Sequence, residues 1–184
     1  MRVYIPATLS MLERLVDNGF IQPFSGTAFA VTPGLRESYA QGDDEELGEV
    51  AIGQAALASL RLLAAEPDPR PRRTVLIADA DATPRPDLDD AVVRIEGRVA
   101  LDQVTAAYVD NAAAEPAVQA AVGAVLAERQ LWGKARRPLE LAAQDGRLQA
   151  RARRQAWRVL ARLAIEEGDD ARALDCLRQA AAQD

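Results

Sequence analysis

The pattern of apolar and polar positions predicts strands and helices in the first part of the chain and helices alone in the last part. Strand-like runs occupy 2–6, 27–31, 74–78, 91–97 and 104–110. Apolar residues recur every three or four positions over 8–19, 32–42 and 45–65, which is typical of helices. The sequence therefore predicts an α+β fold, with a two-layer domain built on a mixed sheet of about five strands.

Local signals place the ends of these elements. Pro6 is expected to end the first strand. Ser10 and Glu13 have the spacing of a capping box for the first helix, and Gly19 follows its last turn. Thr32 is expected to cap the second helix.

The chain is predicted to be helical from about residue 114 onward. Breaks at 144–146 and 166–170 divide this part into three or four helices, with no strand. We therefore expect an α/β domain at 1–112 and an all-helical tail at 113–184.

Composition narrows the chemistry available to the chain. Its 184 residues include no histidine and one cysteine, Cys176. The usual acid–base group at neutral pH is therefore missing, and an internal disulfide cannot form. The first residues, MRVYIPATL, lack the apolar core of a signal peptide, and no stretch suggests a membrane span. We expect a cytoplasmic protein that uses no cofactor.

One stretch, TVLIADADAT at 74–83, raises the question of enzymatic activity. Its Asp-x-Asp-x-Thr pattern at a strand end resembles the nucleophile loop of the haloacid-dehalogenase phosphatases. That resemblance implies a nucleophile at Asp79, an acid–base group at Asp81 and a magnesium ion between substrate and carboxylates. The later lysine and acidic pair of that family are not found at suitable places, because Lys134 is the only lysine and lies in the helical tail.

A milder interpretation keeps the carboxylates and drops the nucleophile. Asp79 and Asp81, with the acids at 87, 89 and 90, are weak candidates for holding a hard cation such as Mg²⁺. The alternative is a solvated acidic loop, because Asp and Pro favour turns. No catalytic residue is assigned.

Arginine gives the clearest surface signal. Five arginines fall three or four residues apart and are expected to line one face of a helix, with Trp157 among them: Arg147, Arg151, Arg154, Arg158 and Arg162. Lys134 to Arg162 carries nine basic and two acidic residues, a net charge of +7, so the remainder of the chain carries −13. Three interpretations stay open: a solvated face, a docking surface for an acidic protein surface, and a contact for nucleic acid phosphates.

Two resemblances to known families follow from longer patterns. The stretches MRVYIPATL, AFAVTPGLRESYAQGDDEEL, ASLRLL and RRTVLIADAD resemble a family of uncharacterised short actinobacterial proteins, a domain of unknown function, over residues 1 to about 130. The tail at 154–184 is similar to one tetratricopeptide repeat, with Trp157 and Leu177 at large positions, Ala161 and Ala173 at small ones, and Asp184 at its end. An ordinary helical hairpin with alanine-rich packing is the alternative.

These observations favour a non-enzymatic protein-interaction or accessory protein. Its helical tail is expected to contact a protein partner, with a second copy of the chain, giving a homodimer, as one candidate. A nucleic-acid-associated protein that uses the arginine face and a metal-dependent phosphoryl enzyme that uses Asp79 and Asp81 are the alternatives. No membrane partner is expected.

Overall fold

The computed structural model describes residues 1–39 and 41–183, and the chain folds into two compact units. The α/β unit consists of Met1–Leu62 and Arg73–Val109. The helical unit consists of Leu63–Arg72 and Asp110–Asp184. The connection between the third helix and the fourth strand therefore belongs to the helical unit, although both of its sequence neighbours belong to the α/β unit.

The described residues form eight strands and seven α-helices. The strands are β1 Arg2–Ala7, β2 Phe20–Ile21, β3 Thr27–Phe29, β4 Thr74–Asp79, β5 Ala82–Pro84, β6 Val92–Ile95, β7 Val99–Ala100 and β8 Val104–Val109. The helices are α1 Leu9–Asn18, α2 Pro33–Ser38, α3 Asp44–Ala65, α4 Glu115–Glu128, α5 Trp132–Gln144, α6 Ala150–Glu166 and α7 Asp170–Ala181. The predicted α+β class is confirmed.

The main sheet has six strands in the order β5-β6-β3-β1-β4-β8, and each neighbouring pair is antiparallel. The sheet is thus antiparallel, whereas a mixed sheet of about five strands was expected. Pro6 does not end β1, because it pairs with Val75 inside the strand. Within the described residues, strand β1 pairs with β3 at Tyr4 and Phe29 alone. No hydrogen bond to β3 is therefore needed from the backbone nitrogen of Pro6, which has no hydrogen to donate.

Both faces of the main sheet are covered by helices. On one face Ile5 and Leu76 pack with Leu15 of α1. On the other face Val75 packs with residues of α3 such as Leu47. Alternate residues of a strand point to opposite faces, so β1 and β4 contribute to both clusters. The unit therefore has three layers rather than the predicted two.

Helix caps follow the sequence in one case and depart from it in another. The hydroxyl of Thr32 accepts a hydrogen bond from the Leu35 amide at 3.0 Å and caps α2, as predicted. Helix α1 begins two residues earlier than the Ser10–Glu13 box requires. Its cap is Thr8, whose hydroxyl accepts from the Met11 amide at 3.3 Å. Thr8 is fully buried, so its hydroxyl needs the bond that this position provides.

A buried hydroxyl fastens α3 to the sheet. Ser59 donates to the Ala7 carbonyl at 2.7 Å and accepts from the Thr74 amide at 3.1 Å. Both backbone groups lie at strand ends, where they would otherwise be buried without a partner.

Helix α3 is long and apolar enough to cross a membrane by length and composition alone, and 39% of its most apolar 18-residue stretch is buried in the structure. The core helices of soluble proteins pass the same test.

The helical unit is built from two consecutive helical hairpins. Helix α4 packs against α5, α6 packs against α7, and α6 also contacts both α4 and α5. Ion pairs join the hairpins, because Arg136 pairs with Glu167 and Arg172 pairs with Glu140. At the start of α6, Arg153 donates to the Gln183 side chain at 2.7 Å, so α6 and α7 run antiparallel. The four helices agree with the predicted three or four.

Candidate protein-interaction site

Asp79 and Asp81 flank the short connection from β4 to β5, two strands of the main sheet that are not neighbours in it. Asp79 is the last residue of β4 and stands opposite Arg2, and both carboxylates are exposed. The carbonyl of Asp79 accepts a hydrogen bond from the Gln103 side chain at 3.2 Å. In the phosphatases that the motif resembles, a doubly wound sheet surrounds the nucleophile, whereas these strands belong to an antiparallel sheet. The surroundings of the motif therefore give no support to that chemistry.

The remaining acids of this loop are held by local bonds. Asp87 pairs with Arg85 at 2.6 Å, and this hydrogen-bonded partner lowers the pKa of the carboxyl. Asp89 accepts from the Ala91 amide at 3.1 Å, and Asp90 accepts from the Ser38 hydroxyl. Across residues 1–39 and 41–183, no group of three or more acidic, histidine or cysteine side chains is arranged to hold a metal ion. The loop is held in shape by these bonds.

Some arginines of the predicted face are exposed, and others have contacts inside the helical unit. Arg151, Arg154, Arg158 and Arg162 all lie on α6, and Arg147 lies in the turn before it. Arg151 and Arg158 are exposed, and no ion pair is seen for either within the described residues. Arg154 is half-buried and donates to the Gln183 carbonyl at 2.9 Å, so it holds the end of α7 in place.

The two outer arginines have partners on the same unit. Arg147 pairs with Asp145 at 2.8 Å, and this hydrogen bond lowers the pKa of the Asp145 carboxyl. The guanidinium of Arg162 lies 5.6 Å from the ring centroid of Trp132, in cation–π distance. The spacing along the sequence correctly places the arginines of α6 on one helix, but two of its four have structural contacts of their own.

Trp157 lies in the α6–α7 hairpin and is half-buried. Its indole N–H is buried and has no hydrogen-bond acceptor among the described residues. The small residues of the repeat-like pattern, Ala161 and Ala173, are buried, as close helix packing requires. Leu177, at the other large position of the pattern, is 48% exposed and does not fill the space that the pattern assigns to it. Asp184, the last position of the pattern, lies outside the described residues.

Sequence reasoning missed an exposed apolar surface on the last two helices. Ile165 of α6 is 57% exposed, and Leu174 of α7 is 51% exposed. With Leu177, these side chains form what we call the α6–α7 apolar patch. The pattern alone could not identify it, because α7 has two apolar stripes: Ala173, Cys176 and Ala180 are buried, whereas Leu174 and Leu177 are exposed.

Helical spacing places the two leucines of the patch on one side of α7. Leu174 and Leu177 lie on the flank of α7 opposite to Arg172, whose guanidinium pairs with Glu140 of α5. The patch on α7 therefore faces away from α5. On α6, Ile165 follows Arg158 and Arg162 along the exposed stripe. The exposed arginines and the apolar patch thus lie on a part of the helical unit that its other described helices leave exposed.

The helical unit also contains an apolar cleft. Its volume is about 690 Å³, and the proline-rich connection forms one wall while α4 and α5 form the other. Leu126 and Leu141 contribute apolar surface, and the charged groups at its rim include Lys134 and Glu115. Glu115 is paired with Arg72 at 2.7 Å, which ties the connection to α4.

A smaller cleft of about 420 Å³ lies on the α3 side of the main sheet, beside Tyr4 and Tyr108. The Tyr4 side chain is mostly buried, and its hydroxyl lies against Gly48 of α3. Burial raises the pKa of the Tyr4 hydroxyl above 10.0; Arg2 lowers it in part, and Glu49 and Tyr108 raise it further.

This tyrosine gives a prediction on pH dependence. Because the folded protein disfavours the phenolate, stability from this group should be fully present below pH 10.0 and lost as pH rises through the raised pKa. The difference in absorbance near the phenolate band between the parent protein and Tyr4→Phe should titrate above 10.0. A difference titration centred at or below that value would contradict the assignment.

Of the comparisons with known proteins, the comparison with protein families gives a match. The profile of the family of unknown function DUF6912 matches residues 1–149. The chain belongs to this family. Comparison with curated proteins and with solved structures gives no match. The matched range covers the α/β unit, α4 and α5, and reaches further than the predicted limit of about 130. Helices α6 and α7, which carry Trp157, Arg151, Arg158 and the apolar patch, lie beyond it.

Proposed function

We propose that this DUF6912 protein is a non-enzymatic protein-interaction protein, and that the outer side of its α6–α7 hairpin binds a second copy of the chain. The observation that carries the proposal is the α6–α7 apolar patch. Three large aliphatic side chains, each about half exposed, stand within one hairpin: Ile165, Leu174 and Leu177. Large apolar side chains that stay exposed on one hairpin among charged residues are typical of protein contact sites.

Charge around the patch suits self-association. Arg158 of α6 is exposed beside the patch, and Asp170 and Asp175 of α7 are exposed on the other helix of the hairpin. No ion pair is seen for these three side chains within the described residues. In a two-fold arrangement the same surface is used by both copies, so arginines of one hairpin can meet carboxylates of the other. This pairing is the reason to prefer a second copy over an unrelated partner.

The repeat-like pattern of the hairpin supports the same surface. In a tetratricopeptide array the next repeat packs on the outer side of each hairpin, because one repeat cannot bury its own faces. The α6–α7 hairpin has its inner side on α4 and α5 and leaves its outer side exposed. In a two-fold dimer the outer side of a second hairpin would cover this exposed side.

The test measures mass in solution. The parent protein should be dimeric by light scattering at micromolar concentration, and Leu177→Glu should be monomeric, because association would bury an unpaired carboxylate. Leu88→Glu is the matched control: Leu88 is 57% exposed in a loop of the α/β unit, and this variant should stay dimeric. A monomeric parent protein, or equal masses for the two variants, would contradict the proposal.

Arg158→Glu separates this function from the nucleic-acid alternative. On the proposed function it should weaken the dimer and leave the melting temperature nearly unchanged, because exposed charges contribute about 1 kcal/mol or less to folding. If the arginine face instead binds phosphates, the variant should bind nucleic acid less tightly and with a shallower salt dependence, at unchanged mass.

A further inference from the structure

The two edges of the main sheet differ in how they are protected. The β5 edge is three residues long, ends in Pro84 and is followed directly by the Arg85–Asp87 ion pair. Short length, proline and charge are the features that normally prevent pairing at an edge. The β8 edge has six residues, and its sequence VTAAYV contains neither charge nor proline.

The β8 edge is also open on both faces. Every residue from Thr105 to Val109 is exposed, and no strand of the described chain pairs on its outer side. The register shifts between Ile77 and Ala78 of the neighbouring strand, which leaves Thr105 near the beginning of β8 as an extra residue. The register from Ala106 to Val109 is regular, so four consecutive residues present an ordinary strand edge.

Side chains beside this edge define what could pair with it. Ala106 stands opposite Ile77, and Tyr108 stands opposite Val75, so both point to the α3 side of the sheet. Ile77 and Tyr108 line the cleft of about 420 Å³. Because Ala106 is small, a long side chain from an added strand has a path over it into this cleft.

The cleft has an excess of negative charge. Glu45 and Glu49 of α3 line it together with Asp44, and among the described residues of its lining Arg2 alone is basic. Asp44 is already paired with Arg36. Glu45 and Glu49 are exposed, and no ion pair is seen for either within the described residues. A cationic side chain entering the cleft would therefore find two carboxylates.

We propose that the β8 edge binds an extended peptide segment as an added strand, with a lysine or arginine side chain of that segment in the cleft between Tyr108 and Glu49. Main-chain hydrogen bonds to β8 would supply affinity, and the charged pocket for an alternate side chain would supply selectivity. This site lies in the α/β unit and is independent of the α6–α7 apolar patch.

The experiment uses the full chain and fluorescein-labelled peptides in fluorescence anisotropy. The probe is Ser-Thr-Val-Lys-Val-Thr-Ser, compared with the same peptide carrying Glu in place of Lys and with a version methylated on the valine nitrogens. The Lys peptide should bind, the Glu peptide should bind at least about tenfold more weakly, and backbone methylation should remove binding because it blocks strand pairing. Absence of binding by the Lys peptide, or equal binding of Lys and Glu peptides, overturns the proposal.

Protein variants locate the site. Ala106→Lys places an ammonium group of the chain itself beside the cleft and should abolish binding, whereas Thr83→Lys on the β5 edge should leave it unchanged. Glu49→Gln should weaken binding of the Lys peptide and leave the melting temperature of the protein unchanged. Binding that survives Ala106→Lys overturns the proposal. If light scattering shows that the parent protein is a dimer and that Ala106→Lys dissociates it, the β8 edge binds a second copy of the chain, and the peptide proposal is likewise overturned.

Discussion

Replacing Leu160 by alanine should lower the free energy of unfolding of the helical unit by about 2–5 kcal/mol, as large-to-small core substitutions do. Leu160 is 2% exposed in the middle of α6. Helix α6 contacts α4, α5 and α7, so its buried side holds the two hairpins together. Removing the side chain would leave a cavity where all these helices meet, and the surrounding alanines are too small to fill it.

Urea denaturation followed by tryptophan fluorescence measures this effect selectively. Both tryptophans of the chain, Trp132 and Trp157, belong to the helical unit, so their emission reports on that unit. Leu141→Ala is the matched control, because Leu141 is 51% exposed on α5 and its loss should change the free energy of unfolding by about 0.5 kcal/mol or less. Equal shifts in the two variants would show that α6 does not form the core of the unit.

Gly123→Ala should destabilise the helical unit by about 1–3 kcal/mol, although alanine is normally the better helix former. A Cβ atom at Gly123 of α4 would lie 2.6 Å from Cγ of Leu139 and 3.2 Å from its backbone nitrogen. Leu139 is 1% exposed on α5, so it has no space into which it can move. Because Gly123 has no side chain, α4 can pack this closely against α5.

Gly53→Ala gives the same substitution without the clash. Gly53 lies in the interior of α3 and is exposed, and a Cβ atom there would meet nothing within 4 Å. This variant should gain about 0.5–1 kcal/mol from the lower flexibility of alanine. Thermal unfolding followed by far-UV circular dichroism compares the two. If Gly123→Ala also raised the melting temperature, the close contact between α4 and α5 would be refuted.

Elements with a long periodic pattern were predictable from the sequence. Helix α3 begins within one residue of its predicted start and ends at the predicted residue, and the Thr32 cap was identified from its position before Pro33. Strands β2, β5 and β7 were missed because they have two or three residues, too few to show alternation. The number of layers was also missed, although the nearly continuous apolar run of β4 is typical of a strand buried on both faces.

The candidate site was predictable only in part. Helical spacing placed Arg151, Arg154, Arg158 and Arg162 on one helix, because spacing is a local property. The bond from Arg154 to the Gln183 carbonyl joins residues far apart in sequence and could not be read from the pattern. The exposure of Leu174 was likewise hidden, because a leucine in an amphipathic helix is normally assigned to the core. Which stripe is buried depends on where the neighbouring helices lie.

The order of residues in the helical unit has a consequence for synthesis. Leu63–Arg72 leaves the ribosome well before Asp110, yet its partners on α4 and α5 come after β8. The α/β unit can therefore be completed while the last four helices are still being made. Until then Leu63, which is fully buried in the finished protein, lacks the residues of α4 that it lies beside. A nascent chain halted after β8 would therefore leave the apolar end of α3 at Leu63 exposed, as transient folding intermediates do.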